Sequence, residues 1–571
     1  MLAEIYEEGK YVQRNVDMAI HYYKLAANQN HLKAQLKLGL IYIKGNSVEK
    51  DINTAIHYFK LAANQNLAEA QHLIGTIYEE GLLLPVDIKQ AVEYYSLAAQ
   101  QNYKDAQFRL GIIYLKNNNI NGAIHYFTLA ANQNHPGAQF QLGILYSTGK
   151  YIPRDIKKSI NYYKLAAKQN FVKAQHRTGT IYEEGLLLPV DIKQAVEYYS
   201  LAAQQNYKDA QFRLGIIYLK NNNINDAIRY LTLAANQNHP DAQFQLGVIY
   251  SAEEYIPRDI KKAIHYFTLS ANQNVVDSQY NLGIIYYTDD YVPRDINKAI
   301  RYFTMASNNN HTLAQFELGN IYSLGIYVAL DISKAIHYYS LAANKNHVHS
   351  QYDLGVIYSS SLYIPKDIKK AIFYLTLASK QYHSIAQYTL GNIYYHSEYG
   401  SLDINNAIHY YSQAADQDVL EAQFKLGVIY CEGIHVPRNV NKAIHYFLLT
   451  AKHRCYEAYN NLGLIYSSGK YVQRDIKKAI YYYTIAADNG YCEAQNSLGT
   501  IYLEGEYVSK DIKKAIHYLK LAVIKVIVKQ IIILVPFIQV VFMFRKILAK
   551  LFIIIYSHQR RILFLQFLIS A

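Results

Sequence analysis

Small and apolar residues return along the chain at the spacing of one helical face, and the same face returns after 36 residues. Counting from an Ala or Ser as offset zero, units begin at Ala34, Ala70, Ala106 and so on to Ala494, and fill residues 34–529 as twelve copies of 36 and two of 32. Residues 1–33 read as the remainder of an earlier unit. Within each unit Ala, Leu, Ile and Tyr at offsets zero, four, seven and eight share a face of a 3.6-period helix, here helix A. Glycine stands at offset five in all 14 units, from Gly39 to Gly499. A mid-helix glycine costs about 1 kcal/mol relative to alanine, so its recurrence predicts the close approach of a neighbouring helix.

A loop with Gly, or with Tyr-Val-Pro chemistry such as Tyr151-Ile152-Pro153, leads to Asp-Ile-Lys-Lys-Ala-Ile-His-Tyr-Tyr, where Asp is placed to cap a second helix, helix B. In the unit from Ala242, Ile260, Ala263, Ile264, Phe267 and Ala271 trace its apolar face, and Lys261 and Lys262 point to water. Asn-Gln-Asn ends it. The two short units, with Asn117-Asn118-Asn119 and Asn221-Asn222-Asn223, omit four residues between intact helices. Residues 75–121 are identical to 179–225, three units on. Whole-unit duplication suits an array in which each unit touches only its neighbours.

The expected fold is all-α, an α-solenoid of about 15 helical hairpins in a right-handed superhelix. The string Ala-Gln-x-x-Leu-Gly-x-Ile-Tyr, then Asp-Ile-x-Lys-Ala-Ile-x-Tyr-Tyr-x-x-Ala-Ala, resembles the Sel-1-like repeat, a relative of the tetratricopeptide repeat. The resemblance implies a superhelix with A helices on its concave face and an adaptor role in protein complexes, including degradation and signalling assemblies. Secreted bacterial relatives with paired cysteines in each unit differ from this chain, which lacks those pairs.

Composition narrows the setting. Of 571 residues 51% are hydrophobic and 18% charged, below the roughly 25% of ordinary domains, which excludes a disordered chain. The net charge of +13 would suggest nucleic acid, but seven bases and no acid lie beyond Ala522, leaving 50 basic against 44 acidic residues elsewhere. No nucleic-acid partner is expected. Cys431, Cys455 and Cys492 form no CxxC, and the first residues show no signal-peptide pattern, so a reduced, cytoplasmic setting is expected.

The familiar catalytic and nucleotide-binding motifs are absent from the sequence, so neither enzyme activity nor a cofactor is expected, and hydrolase activity has no residues to carry it. His57, His125, His265, His337, His409, His445 and His517 recur at one place on helix B. Stacked units about 10 Å apart cannot bring them to the roughly 2 Å of zinc–nitrogen bonds, so they read as partly exposed helix residues. Asp87, Asp155 and Asp191 read as helix caps, and Asn310-His311-Thr312 is a glycosylation sequon on paper only.

Offset two of helix A is more informative: Phe108, Phe140, Phe212, Phe244, Tyr280, Phe316, Tyr352, Tyr388 and Phe424 form an aromatic ladder interrupted by His176. Such rings can grip a peptide in a groove or pack between adjacent A helices. Offset nine varies from Glu79 and Glu183 to Ser147, Tyr287 and Cys431, and variation on a fixed frame is where partner specificity is expected. The leading reading is a non-enzymatic scaffold that binds a peptide or protein on its concave face. The alternative is a membrane-associated adaptor in a degradation or signalling complex.

That alternative rests on the tail. After Ala522 the sequence becomes apolar and basic, and residues 530–571 leave the repeat pattern. The uncharged run Gln530–Phe544 is shorter than the roughly 20 residues that span a bilayer, and a basic interfacial helix is the better membrane reading. The genetic code offers another account. In the frame formed by each third base and the next two, Phe537-Ile538 forces Tyr or His at offset eight, and Lys546-Ile547 forces Asp or Asn at the helix B cap. The tail is thus expected to be a frame-shifted fifteenth unit. Sequencing the coding DNA around Ala522 is expected to show an open shifted frame encoding a repeat, whereas stop codons in that frame would favour the membrane tether.

Overall fold

The computed structural model describes residues 1–523 except 46–47, 82–84, 186–188, 254–255, 289–291, 361, 363 and 397–401. The proposed frame-shifted unit and interfacial helix of the tail lie outside the described residues. Two compact units are distinguished, one formed by the described residues of Met1–Met305 and one by the described residues from Ala306 on. In each, every regular element among the described residues is an α-helix, and consecutive helices pair as hairpins that stack on their neighbours. The expected all-α helical-repeat array is the observed one.

Local chemistry sets the helix bounds. In the unit from Ala138, helix A spans Pro136–Thr148 and ends at Gly149 with φ 63°, a left-handed conformation that glycine adopts without penalty. Helix B spans Ile156–Lys168, and Asp155 caps it by accepting from the Lys158 amide at 3.0 Å. The Asp155 amide donates to the carbonyl of Tyr146 at 3.1 Å, which closes the loop between the helices. Asn170, at φ 59°, then turns the chain into the next unit. The short unit solves the same problem with fewer residues: Asn118 takes φ 59°, Asn119 caps helix B through the Gly122 amide, and the Asn119 amide donates to the Tyr114 carbonyl at 2.8 Å.

The offset-five glycines answer to a specific neighbour. A Cβ built on Gly143 would lie 2.6 Å from the ring of Tyr163, and one on Gly427 would lie 2.7 Å from that of Phe447. The partner is a large residue of the same unit's helix B in each copy: Phe59, Tyr95, Phe127 and Tyr199 among the rings, with Leu231, Leu375 and Leu519 in three units. These rings are buried beneath columns of alanine such as Ala123, Ala130 and Ala138. Ala3 occupies the equivalent place in the first helix, Leu2–Glu8, in one cluster with Tyr23.

A second seam runs along the hairpin. Each offset-eight Tyr stacks on a helix B Tyr, as in Tyr114–Tyr126 at 5.5 Å between centroids and Tyr394–Tyr410 at 5.7 Å. Lysines of helix B lie over these pairs: Lys262 sits 4.9 Å from the Tyr250 ring while pairing with its own cap, Asp259. This accounts for the tyrosine burden as packing inside every unit.

At an unconstrained mid-helix site Gly→Ala stabilises by about 1 kcal/mol. Gly143→Ala is expected to do the opposite, lowering stability by about 1–3 kcal/mol because the methyl displaces Tyr163. Urea denaturation of the full chain checks this, and a rise in midpoint would show that the seat is not tight.

Candidate functional site

Helix A carries the candidate binding residues, and each ladder ring is half-buried. Toward the interior it meets the ring on the glycine: Phe108–Phe127 at 5.9 Å, Phe140–Tyr163 at 5.6 Å, Phe244–Phe267 at 6.0 Å, Tyr280–Phe303 at 5.9 Å, Tyr388–Tyr411 at 5.9 Å and Phe424–Phe447 at 5.7 Å. Along the array it meets the residue that opens the next A helix: Phe108–His135 at 4.4 Å, Phe212–His239 at 4.5 Å, Phe316–His347 at 4.7 Å and Tyr352–His383 at 4.7 Å. The rings are seams between successive units. Their outer portions are what remains for a partner.

Those flanking histidines form a set that sequence reasoning missed. His31, His135, His239, His311, His347 and His383 each cap a helix A, the Nδ1 accepting from the amide three residues on at 3.1–3.3 Å. An accepting Nδ1 requires the neutral ring. The available signal was a His three residues before the Ala or Ser that opens each count. His311 shows that the sequon tripeptide is a turn and a cap, with Asn310 at φ 66°. Burial holds His135, His239, His347 and His383 below the ordinary imidazole range. Asp105, 3.3 Å from His135 Nε2, and Asp209, 3.5 Å from His239 Nε2, oppose that shift.

The seven helix B histidines stand elsewhere. They are edge-on to a tyrosine, as in His125–Tyr126 at 5.1 Å and His409–Tyr410 at 5.1 Å. Among the described residues no three His, Cys, Asp or Glu side chains converge to hold a metal. Asp87, Asp155 and Asp191 are the helix caps expected of them.

At several offset-nine positions the side chain also serves the interior. Where the ring on the glycine is Tyr, its hydroxyl uses this position or its neighbour: Tyr95 donates to Glu79 at 2.8 Å, Tyr199 donates to Glu183 at 2.7 Å, and the Tyr339 hydroxyl lies 2.9 Å from that of Ser323. Where it is Phe127 or Leu231, offset nine is Leu115 or Leu219. Burial and the Glu79 hydrogen bond push the Tyr95 hydroxyl well above its ordinary range. Arg109 and Arg213 of the following units reach back to Glu79 and Glu183 at 3.6 and 3.8 Å.

A buried glutamine links three helices in most units. Gln139 Nε2 donates to the Ala131 carbonyl at the end of the preceding helix B, and its Oε1 accepts from Gln169 at the end of its own helix B, at 2.7 Å. Gln71, Gln107, Gln175 and Gln387 repeat the pattern. The motif contained this glutamine, but its role depends on a residue 26 or 30 positions away.

The Sel1 repeat family model matches 14 segments, beginning with 1–31, 32–67 and 68–103 and ending with 457–491 and 492–523, and a tetratricopeptide repeat model matches 209–242. No curated protein sequence matches the chain. Among solved structures, c5321, a protective antigen of uropathogenic Escherichia coli strains with an SLR fold, is 25% identical over 88% of this chain and 94% of its own, with a TM-score of 0.45. A Sel1 repeat protein from Oxalobacter formigenes is 25% identical over 60% of this chain and 90% of its own, with a TM-score of 0.35.

The capping histidines generate a pH dependence. The folded pKa values of His135, His239, His347 and His383 lie below the unfolded value of 6.5, so between the two the unfolded chain binds more protons. Stability is therefore expected to be full above about pH 6.5 and to fall as the pH drops below it. His135→Asn and His239→Asn keep a capping oxygen without titrating and should flatten that fall. Urea midpoints between about pH 7.5 and 5 measure it, and identical slopes in wild type and variants would refute the assignment.

Proposed function

Because this chain belongs to the Sel1 repeat family, we propose that it is a non-enzymatic scaffold whose A-helix face binds a peptide or an extended segment of a protein. The family generally serves as a protein-interaction scaffold. The observation that carries the reading is the recurrence of a half-buried aromatic at one position of successive A helices, held from beneath by the cluster around the ring or leucine seated on the glycine. Rings fixed in this way lose little freedom when a partner covers them, which favours affinity. Phe108, Phe140, Phe212, Phe244, Tyr280, Phe316, Tyr352, Tyr388 and Phe424 are the proposed anchors.

No nucleic-acid or cofactor role enters this reading. The three cysteines are free, and a cytoplasmic setting is kept as part of this proposal. Among the described residues no helix is long and apolar enough to cross a membrane. The membrane-associated adaptor therefore depends on residues 530–571 alone, and we retain the frame-shifted unit as the account of that segment.

Phe244→Ala and Phe316→Ala are expected to weaken binding of a partner by about 1–3 kcal/mol. Their interior contacts mean that stability also falls, so affinity must be measured per folded molecule by calorimetry, with the folded fraction taken from circular dichroism. Unchanged affinity per folded molecule would make the rings packing elements alone.

A further inference from the structure

Charge is distributed differently over the A helices of the two compact units. In Met1–Met305 charges on this face meet opposite charges from the adjoining repeat, as Arg109 meets Glu79 and Glu80, and Arg213 meets Glu183 and Glu184. In the second unit the six A helices from Thr312–Leu324 to Cys492–Glu504 carry seven carboxylates and one cation, Lys425. The five B helices from Ile332–Ala343 to Ile476–Asp488 carry eight lysines and one carboxylate, Asp488. The A face is acidic and the B face basic.

Some of those acids have a local explanation. Glu421, Glu457 and Glu493 lie in the first turn of their helices, where they complement the helix dipole. Glu317 and Asp353 do not. They occupy offset three of consecutive A helices, the place of Arg109 and Arg213 in the first unit. Both are half-buried, and neither meets a cation among the described residues. Glu317 accepts one long hydrogen bond from Asn320 at 3.4 Å. Burial without a partner pushes Asp353 up to about 6. Offsets three, six and ten share one helical stripe, and on it Leu324 is 57% and Val356 37% exposed.

Resting on the A-face reading above, we propose that the stripe from Glu317 to Val356 docks a cationic, extended peptide segment. Its arginine or lysine head groups meet Glu317 and Asp353, one repeat apart, while their aliphatic stems lie on Leu324 and Val356. Adjacent A helices about 10 Å apart match cations three residues apart in a polyproline II segment, where every third side chain returns to the same face about 9 Å further on. A cation there supplies the opposite charge that the neighbouring repeats supply in the first unit.

The probe is a fluorescein-labelled synthetic peptide of arginine, glycine and serine with arginine at every third position, titrated with the full chain at about pH 7.5, where histidines are neutral. Fluorescence anisotropy should show saturable binding that Glu317→Gln with Asp353→Asn weakens about tenfold or more. Lys369→Gln with Lys370→Gln on the B face should leave it unchanged, and a peptide with glutamate for arginine should not bind. These carboxylate replacements are near-isosteric and remove buried charge, so folding should persist; Asp353→Asn alone provides a milder variant. Equal affinity in the carboxylate variants, or no binding of the arginine peptide, overturns the proposal. If instead the glutamate peptide binds and loses affinity on Phe316→Ala, the A-face reading survives and the cationic inference falls. If neither peptide responds to Phe316→Ala, both fail.

Discussion

The contact on which the remaining packing depends is a helix B side chain seated on a helix A glycine. With no Cβ in the way, the two helices of a hairpin approach until the ring of Tyr163 rests on the backbone at Gly143, and the same seat is formed in all 14 units. That approach sets the positions of the other parts. It buries the alanine columns, brings each offset-eight Tyr against its helix B partner, and supports the offset-two ring from below. The helical cost of about 1 kcal/mol for glycine is small against the burial of a whole aromatic side chain. Leu231, Leu375 and Leu519 show that the seat requires a large apolar group more than an aromatic one.

Between units, burial of alanine is not selective about register, and polar groups add the selectivity. The buried glutamine ties the end of one helix B to the next helix A and onward to that unit's own helix B. An unmade buried hydrogen bond costs about 1–3 kcal/mol, so a unit shifted along its neighbour loses at every such joint. Variation at the joint leaves visible traces. Lys345 replaces the second glutamine and reaches Gln315 at 3.4 Å, whereas Gln423 Oε1 is buried without a partner where His453 ends the helix.

The period, the two helices, their caps and the glycine's need for a close neighbour are all legible in the sequence, because each follows from spacing within about one unit. The Asp155 cap, the Asn170 turn and the four-residue economy of the short units are local effects that residue types announce. The glutamine bridge, the packing of the capping histidines on the preceding ladder ring and the coupling of Glu79 to Tyr95 are different. Each joins residues whose relation depends on how one helix lies on another, and a glutamine or histidine in a helical repeat reads as a surface residue until that relation is known. The candidate binding face illustrates the same divide. Its aromatic positions stand out by type, but whether their rings point outward or into a seam depends on His135 or His347 in the following unit.

A nearest-neighbour array makes function a property of surfaces spread along it, and the segment 75–121 repeated at 179–225 shows that the array accepted whole units while keeping its joints. The most direct test is deletion of Ala70–Lys173, which removes three units and leaves Glu69 followed by Ala174 in phase within helix A. Circular dichroism and urea unfolding of the shortened full-length chain are predicted to show unchanged helicity per residue and a cooperative transition. Loss of helicity throughout the molecule would contradict an array held together by contacts between adjacent units.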